Sequence, residues 1–276
     1  LSAGNDDSTM KRKSPKHIQA LINLLEDEDR HVSSIAMEQL LTLDGDVDRL
    51  IAEFQEAPNP VLRGRIHQLG NIVKLRRERT LLINEVVDGK PTVWDGILRI
   101  NRQYNPQMNL RNLNRIIEEL AARVPSPIST VGMATFMHNE TFSFTGEDIL
   151  GADLYLLEDV LTQHVGAPIL LSVIAKHLGE IYGWNALIVL FKGKHCLYDE
   201  QTCDLVEPAE GWRVTRLNRD DKLHPCADRD IWLTILCQLF LSALLEGRLQ
   251  TIHRIGSILS RLCGGEFSKL PFPLGS

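Results

Sequence analysis

"NALIVLFKGKHCLYDEQTCDLVEP", Asn185 to Pro208, is the stretch whose reading decides the fold. Here the apolar residues take up a two-residue period: "NALIVLF" reads as a buried strand, "HCLY" as its neighbour and "DLVE" as a third. Elsewhere the spacing is helical. The expected sheet is therefore small and late, with helices before and after it in the chain. The expected fold class is α+β, mostly helical.

Working outward, residues 1–14 are polar and read as a terminal tail, with structure expected from Ser14-Pro15. Ile18, Leu21, Ile22, Leu24 and Leu25 define one helix, and Val32, Ile35, Ala36, Leu40 and Leu43 a second, joined by "EDEDR". A weaker copy follows, with Val47, Leu50, Ile51 and Phe54, then Ile66, Leu69, Ile72 and Val73 behind an Asn59-Pro60 cap and first turn. "LLEDEDRHV" and "APNPVLRGR" resemble the inter-helix turns of HEAT-type repeats, so residues 15–90 are expected to form a HEAT-like helical lobe. Residues 91–263 are expected to form the core with flanking helices. Helices are expected at Val93–Arg102, Leu110–Val124, Thr130–His138 and about Leu154–Gln163, with "VPSPIS" as a break. Gly166-Ala167-Pro168 opens an apolar helix, Ile169–Leu178. Helices at Ile231–Leu245 and Leu249–Leu262 finish the core, and residues 264–276 read as a tail.

The 276 residues carry a formal net charge of -6. That balance argues against a non-specific nucleic-acid binder, which concentrates basic residues on one face. No run approaches the roughly 20 apolar residues that span a bilayer. The longest, Ile231–Leu245, is interrupted by Thr234, Gln238 and Ser242, so no membrane partner is expected. Five cysteines (Cys196, Cys203, Cys226, Cys237, Cys263) without a CxxC pair do not form a disulfide framework, and a cytoplasmic setting follows as the expectation.

Thiol catalysis needs a thiolate, a base and usually an acid or amide that orients the base. His195 supplies a base, and Asp204 or Glu207 an acid. Hairpin register decides between the two acids. A two-residue loop at Glu200-Gln201 puts His195 opposite Val206 and on the face of Asp204, whereas a three-residue loop at Glu200–Thr202 puts it opposite Glu207. The candidate thiols fit poorly: Cys196 neighbours His195 along the strand and so points to the other side of the sheet, and Cys203 lies at the end of the hairpin. His195, Cys196, Cys203 and Asp204 lack the paired spacing of a zinc site, so no metal and no cofactor is expected.

The order helix, strand, strand with His, strand with acid resembles the transglutaminase core of the papain-like superfamily. More closely, "VWDGILRINRQYNPQMNLRNLNRIIEELAARV", "LEDVLTQHVGAPILLSVIAKHLGEIYGW", "FKGKHCLYD" and "LVEP" resemble the bacterial SirB-type family, which joins a helical N-terminal region to such a core. The resemblance implies a nucleophilic cysteine at the N-terminus of the helix that follows Gly166, where the helix dipole lowers a thiol pKa. Here Pro168 and Ile169 stand at that position and the first hydroxyl is Ser172. Glu207 replaces the family's Asp before proline, and "GKH" from Gly193 replaces its "PGH". His195 with Glu207 or Asp204 then reads as a vestigial pair. The expected function is non-catalytic binding of a protein or peptide partner, with a regulatory role. The alternative is a cysteine-dependent hydrolase or transferase in which Cys196, Cys203 or a residue of the loop Asn139–Asp153 serves His195. A third reading is a structural remnant whose groove is filled by Trp184 and Trp212.

Overall fold

The computed structural model describes residues 15–43, 46–87, 91–146, 151–218 and 221–264. The tails expected at 1–14 and 264–276 lie outside these, Gly264 apart. The chain divides into two compact units, Leu1–Glu78 and Arg79–Ser276.

The first unit is built from α1 (Pro15–Leu25), α2 (Arg30–Leu40), α3 (Asp46–Phe54) and the first two-thirds of α4 (Pro60–Val87). Local chemistry sets the starts. The Asp29 carboxylate accepts from the His31 amide at 2.7 Å, and the Asn59 side chain accepts from the Val61 amide at 2.9 Å, with Pro60 as the first helical residue. Leu21, Ile22, Leu25, Ala36, Leu40, Leu50, Ile66 and Leu69 form its core. The Arg65 guanidinium reaches from α4 to the carbonyls of Leu25 and Asp27, so it closes the C-terminal end of α1.

The second unit contains α5 (Val93–Tyr104), α6 (Leu110–Ala121), α7 (Thr130–Asn139), a 3-10 turn (Ala152–Tyr155), α8 (Leu157–Gln163) and α9 (Pro168–Glu180). After the sheet come α10 (Asp228–Leu245) and α11 (Leu249–Leu262). The sheet has the order β4-β3-β2-β1-β5, with β1 (Leu187–Phe191), β2 (Lys194–Asp199), β3 (Asp204–Glu207), β4 (Arg213–Arg216) and β5 (His224–Pro225), every pair antiparallel. The three expected strands are present and two short edge strands join them. The fold is α+β and mostly helical.

Helix α9 organises this unit. Ile169, Leu170, Leu171, Val173, Ile174, Ala175 and Leu178 are all buried, so the helix is apolar around its circumference and must be covered on every side. β1 and β2 cover one side, and α5, α6, α7 and α10 pack on it as well. Two close approaches fix α5. At Gly96 any Cβ would overlap the Trp232 indole of α10, whose Nε1 donates to the Val93 carbonyl at 3.1 Å. Trp94 lies flat on His177 of α9, with ring centres 4.0 Å apart and planes within 1°.

A buried amide joins α5 to α8. Asn101 is 1% exposed; its Oδ1 accepts from the Leu157 amide at 2.5 Å and its Nδ2 donates to the Tyr155 carbonyl at 3.3 Å. It thereby caps α8, whose own N-cap residue, Leu156, offers no side-chain oxygen.

Replacing Asn101 with Leu keeps the volume but strands a buried N–H and a buried carbonyl. The expected loss is about 2–4 kcal/mol of unfolding free energy, read by urea denaturation. Gly96→Ala forces the Trp232 indole out of its place and is expected to cost at least about 2 kcal/mol, with a change in tryptophan fluorescence.

Candidate functional site

The start of α9 is held by backbone rather than by side-chain caps. Ser143 forms a parallel bridge with Val165: its amide donates to the His164 carbonyl at 2.8 Å and its carbonyl accepts from the Gly166 amide at 3.0 Å. The Ala167 amide donates to the Leu154 carbonyl at 2.9 Å. His164 takes a left-handed conformation at the end of α8 and stacks on Phe142. At Gly166 a Cβ would run into the Val160 side chain, so the turn into α9 requires glycine for space. Pro168 then fills the first helical position, and no side chain caps the N-terminus. Ser172, fully buried, turns its Oγ back to the Pro168 carbonyl at 2.8 Å. Its proton is thereby committed to the helix backbone.

Chain direction brings His195 to this end of α9. After α9 the Trp184 amide returns to the Gly179 carbonyl at 3.0 Å, and Lys176 Nζ donates to the Ala186 carbonyl at 2.9 Å. β1 therefore starts beside the last turns of α9 and runs back along it, and β2 runs forward again. The end of β2 is pinned, since Asp199 Oδ2 accepts from Trp184 Nε1 at 3.3 Å. Four residues of strand, about 13 Å, separate His195 from Asp199. That length brings the histidine level with the first half of α9.

The sheet faces differ in what they cover. Ile188, Leu197 and Val206 belong to the main core, whereas Val189, Phe191, Cys196 and Leu205 form a separate cluster on the other side. By alternation His195, paired with Leu190, shares the face of Leu197 and so faces α9. It is partly buried, its ring meets no hydrogen-bond or charged partner among the described residues, and burial pulls its pKa down to about 4. At neutral pH the ring is uncharged.

Neither expected hairpin register occurs. Asp199 pairs with Asp204, Tyr198 with Leu205 and Leu197 with Val206, which makes a four-residue turn over residues 200–203. The Asp199 carboxylate accepts from the Gln201 amide at 2.9 Å and Cys203 adopts a positive φ of 59°; together these widen the turn. The longer turn places Glu207 level with Cys196 on the face away from His195. There Glu207 accepts from Arg213 at 3.0 Å and Thr215 at 3.3 Å. Asp204 shares the His195 face but lies at the opposite end of the strand. The structure brings neither acid to His195.

The candidate thiols stay apart from it as well. Cys196 is 1% exposed on the opposite face, and burial, followed by the charge of Glu207, pushes its thiol up to about 12. Cys203 is exposed at the far end of the hairpin. Among the described residues no group of three His, Cys, Asp or Glu side chains could hold a metal ion, and no helix is long and apolar enough to cross a membrane.

Sequence reasoning missed one buried polar knot on the His195 face. Asp199, 6% exposed, accepts from Thr130 Oγ1 at 2.5 Å as well as from Trp184. Burial pushes its carboxyl up, but the bonds from Thr130, the Gln201 amide, Trp184 and the Thr202 amide outweigh this and hold it below the ordinary aspartate value. Thr130 is 69 residues away in sequence, so no spacing could have shown it. The legible signal was an Asp opening a turn.

The depressed His195 pKa has a consequence for stability. Unfolded, the ring takes up a proton near 6.5; folded, near 4. As pH falls between these values the unfolded state gains protons first, so stability is lost. Between pH 7 and pH 5 this group is expected to cost about 2 kcal/mol. His195→Gln should flatten that part of the curve in urea titrations at each pH, and the His195 ring resonances should titrate near pH 4.

Residues 108–234 match the family described as Transglutaminase-like superfamily. The matched span runs from just before α6 into the first turns of α10, and so includes the α9 N-terminus, the β1–β4 meander and His195. No curated protein and no solved structure matches the chain. The chain carries a transglutaminase-like superfamily domain over residues 108–234.

Proposed function

We propose that this domain is a non-catalytic member of its superfamily, of the SirB type, which binds an extended peptide or protein segment beside His195. The observation that carries the reading is the pair Pro168 and Ile169 at the start of α9, where a helix dipole would activate a cysteine. Ser172 is no substitute, because its hydroxyl is buried and bonded within the helix. Cys196 and Cys203 do not face the histidine, which speaks against the recruited-thiol alternative.

What remains suits recognition of a neutral backbone. The amides of Ile169 and Leu170 have no acceptor among the described residues, and the uncharged His195 ring can donate or accept. A peptide carbonyl and its neighbouring amide match those groups. The HEAT-like N-terminal helices fit an interaction protein with a regulatory role, in a cytoplasmic bacterial setting. The structural-remnant reading draws on a specific feature: Trp184 and Trp212 are 6% and 3% exposed, and the Trp212 indole donates to the Phe142 carbonyl at 2.6 Å. Both indoles are thus spent on the fold.

Iodoacetamide labelling between pH 6 and 9 tests the loss of catalysis. The expected outcome is slow labelling confined to Cys203 and Cys226, with the same pH profile in His195→Ala. Rapid labelling of one cysteine at neutral pH that disappears in that variant would establish a working pair and overturn the reading. Binding is tested on a random-peptide array. Ligands whose signal falls at least tenfold in His195→Ala support the groove, whereas an array without such ligands favours the remnant.

A further inference from the structure

The turn between α10 and α11 gathers two arginines and a buried tyrosine hydroxyl away from His195. Arg248 occupies the N-cap of α11, a 14-residue helix with no side-chain cap. Its guanidinium carbon stands 4.9 Å from the centre of the Tyr104 ring. Arg254 is partly buried and leans back onto the same turn. Its Nε donates to the Gln250 carbonyl at 3.3 Å and its Nη2 to the Thr251 hydroxyl at 3.2 Å. No carboxylate meets it among the described residues. Burial, then the charges of Arg248 and Arg79, draw Arg254 below the ordinary guanidinium range.

One carboxylate is present. Glu246 Oε2 lies 3.3 Å from Arg248 Nη1, with both side chains nearly half exposed. Two guanidinium groups against one exposed carboxylate leave the turn positive. Beneath Arg248, Tyr104 is 1% exposed, and its hydroxyl proton meets no acceptor among the described residues. A guanidinium can only donate, so Arg248 cannot accept the phenol proton. A buried hydroxyl proton without an acceptor is costly, and an acceptor from outside the chain would relieve that cost. The Gln250 amide in the first turn of α11 likewise lacks an acceptor among the described residues.

These donors approach from different elements: α5, the α10–α11 turn and the first two turns of α11. A two-oxygen carboxylate cannot meet them all, whereas a tetrahedral anion offers oxygens in several directions, and arginine forks match it in geometry. We propose that the α10–α11 turn is a binding site for a phosphate-type oxyanion, held by Arg248 and Arg254 above the Tyr104 hydroxyl. Free phosphate and a phospholipid headgroup share that chemistry. The lipid source has a further point of contact, since Leu244, Leu245 and Leu249 beside the site are 46%, 69% and 78% exposed.

The test uses the full chain. Inorganic phosphate is titrated against chloride at matched ionic strength, by calorimetry and by thermal midpoint. Vesicles of phosphatidylcholine with and without phosphatidic acid are compared by co-sedimentation. Phosphate binding beyond chloride, weakened about tenfold in Arg254→Gln and less in Arg254→Lys, supports the site with a free anion as ligand. Sedimentation that needs phosphatidic acid and is lost in both Arg254→Gln and Leu249→Ser supports the site with a lipid ligand. Glu246→Gln should strengthen either form of binding, an effect that misfolding cannot imitate. His195→Ala should leave both unchanged, so failure here and failure of the groove are distinguishable. No response above the chloride and phosphatidylcholine controls, or a response unaltered in Arg248→Gln and Arg254→Gln, overturns the proposal.

Discussion

A helix that is apolar around its whole circumference has to be enclosed, and that demand, made by α9, shapes the second unit. Its buried residues reach from Ile169 to Leu178, too long a surface for any one partner. A sheet can cover one side, because a strand face is flat and presents alternate residues. The remaining sides need helices, which come both from before the sheet (α5, α6, α7) and from after it (α10). The late position of the strands in the chain follows from this arrangement: the core helix forms its sheet immediately afterwards and the last helices close over what is left.

Several polar groups inside this enclosure are specifically bonded, as burial requires. Asn101 serves the start of α8, Ser172 serves α9, and Asp199 gathers Thr130, Trp184 and two turn amides. The Asn101 and Asp199 knots tie elements distant in sequence, whereas the Ser172 bond stays within α9. His195 differs from these three: it sits on the same core-facing side as Asp199, with its ring unbonded among the described residues. A partly buried polar ring kept without a protein partner carries a desolvation cost. The two candidate acids have been put to other uses or other places: Glu207 neutralises Arg213, and Asp204 pairs across from Asp199 at the end of the sheet.

How much of this could be read from the sequence depended on the range of the interaction. The change of apolar period at Asn185 marked the three central strands, and helical spacing marked α1, α2, α5, α6, α9, α10 and α11. Edge strands β4 and β5 escaped: "RVTR" carries one apolar residue, and a two-residue strand has no period at all. The start of α10 was expected at Ile231 and falls at Asp228, since a charged first turn is invisible to apolar spacing. The hairpin register failed for a local reason. One residue in the left-handed region, Cys203, and one carboxylate accepting turn amides lengthened the loop, and each added residue moves every later side chain to the other face. That Pro168 and Ile169 open α9 was legible, because a glycine and a proline in sequence mark a helix start. The Asp199 knot and the arginines around Tyr104 were not, because tertiary packing assembles them.

A histidine whose pKa has fallen to about 4 carries no field across the pH range of most cells. In the binding proposed for it, the ring itself neither draws in nor turns away a charged group at a distance, so its contribution begins at contact. Whatever selectivity the His195 ring itself contributes comes from its shape and from the direction of its hydrogen bonds.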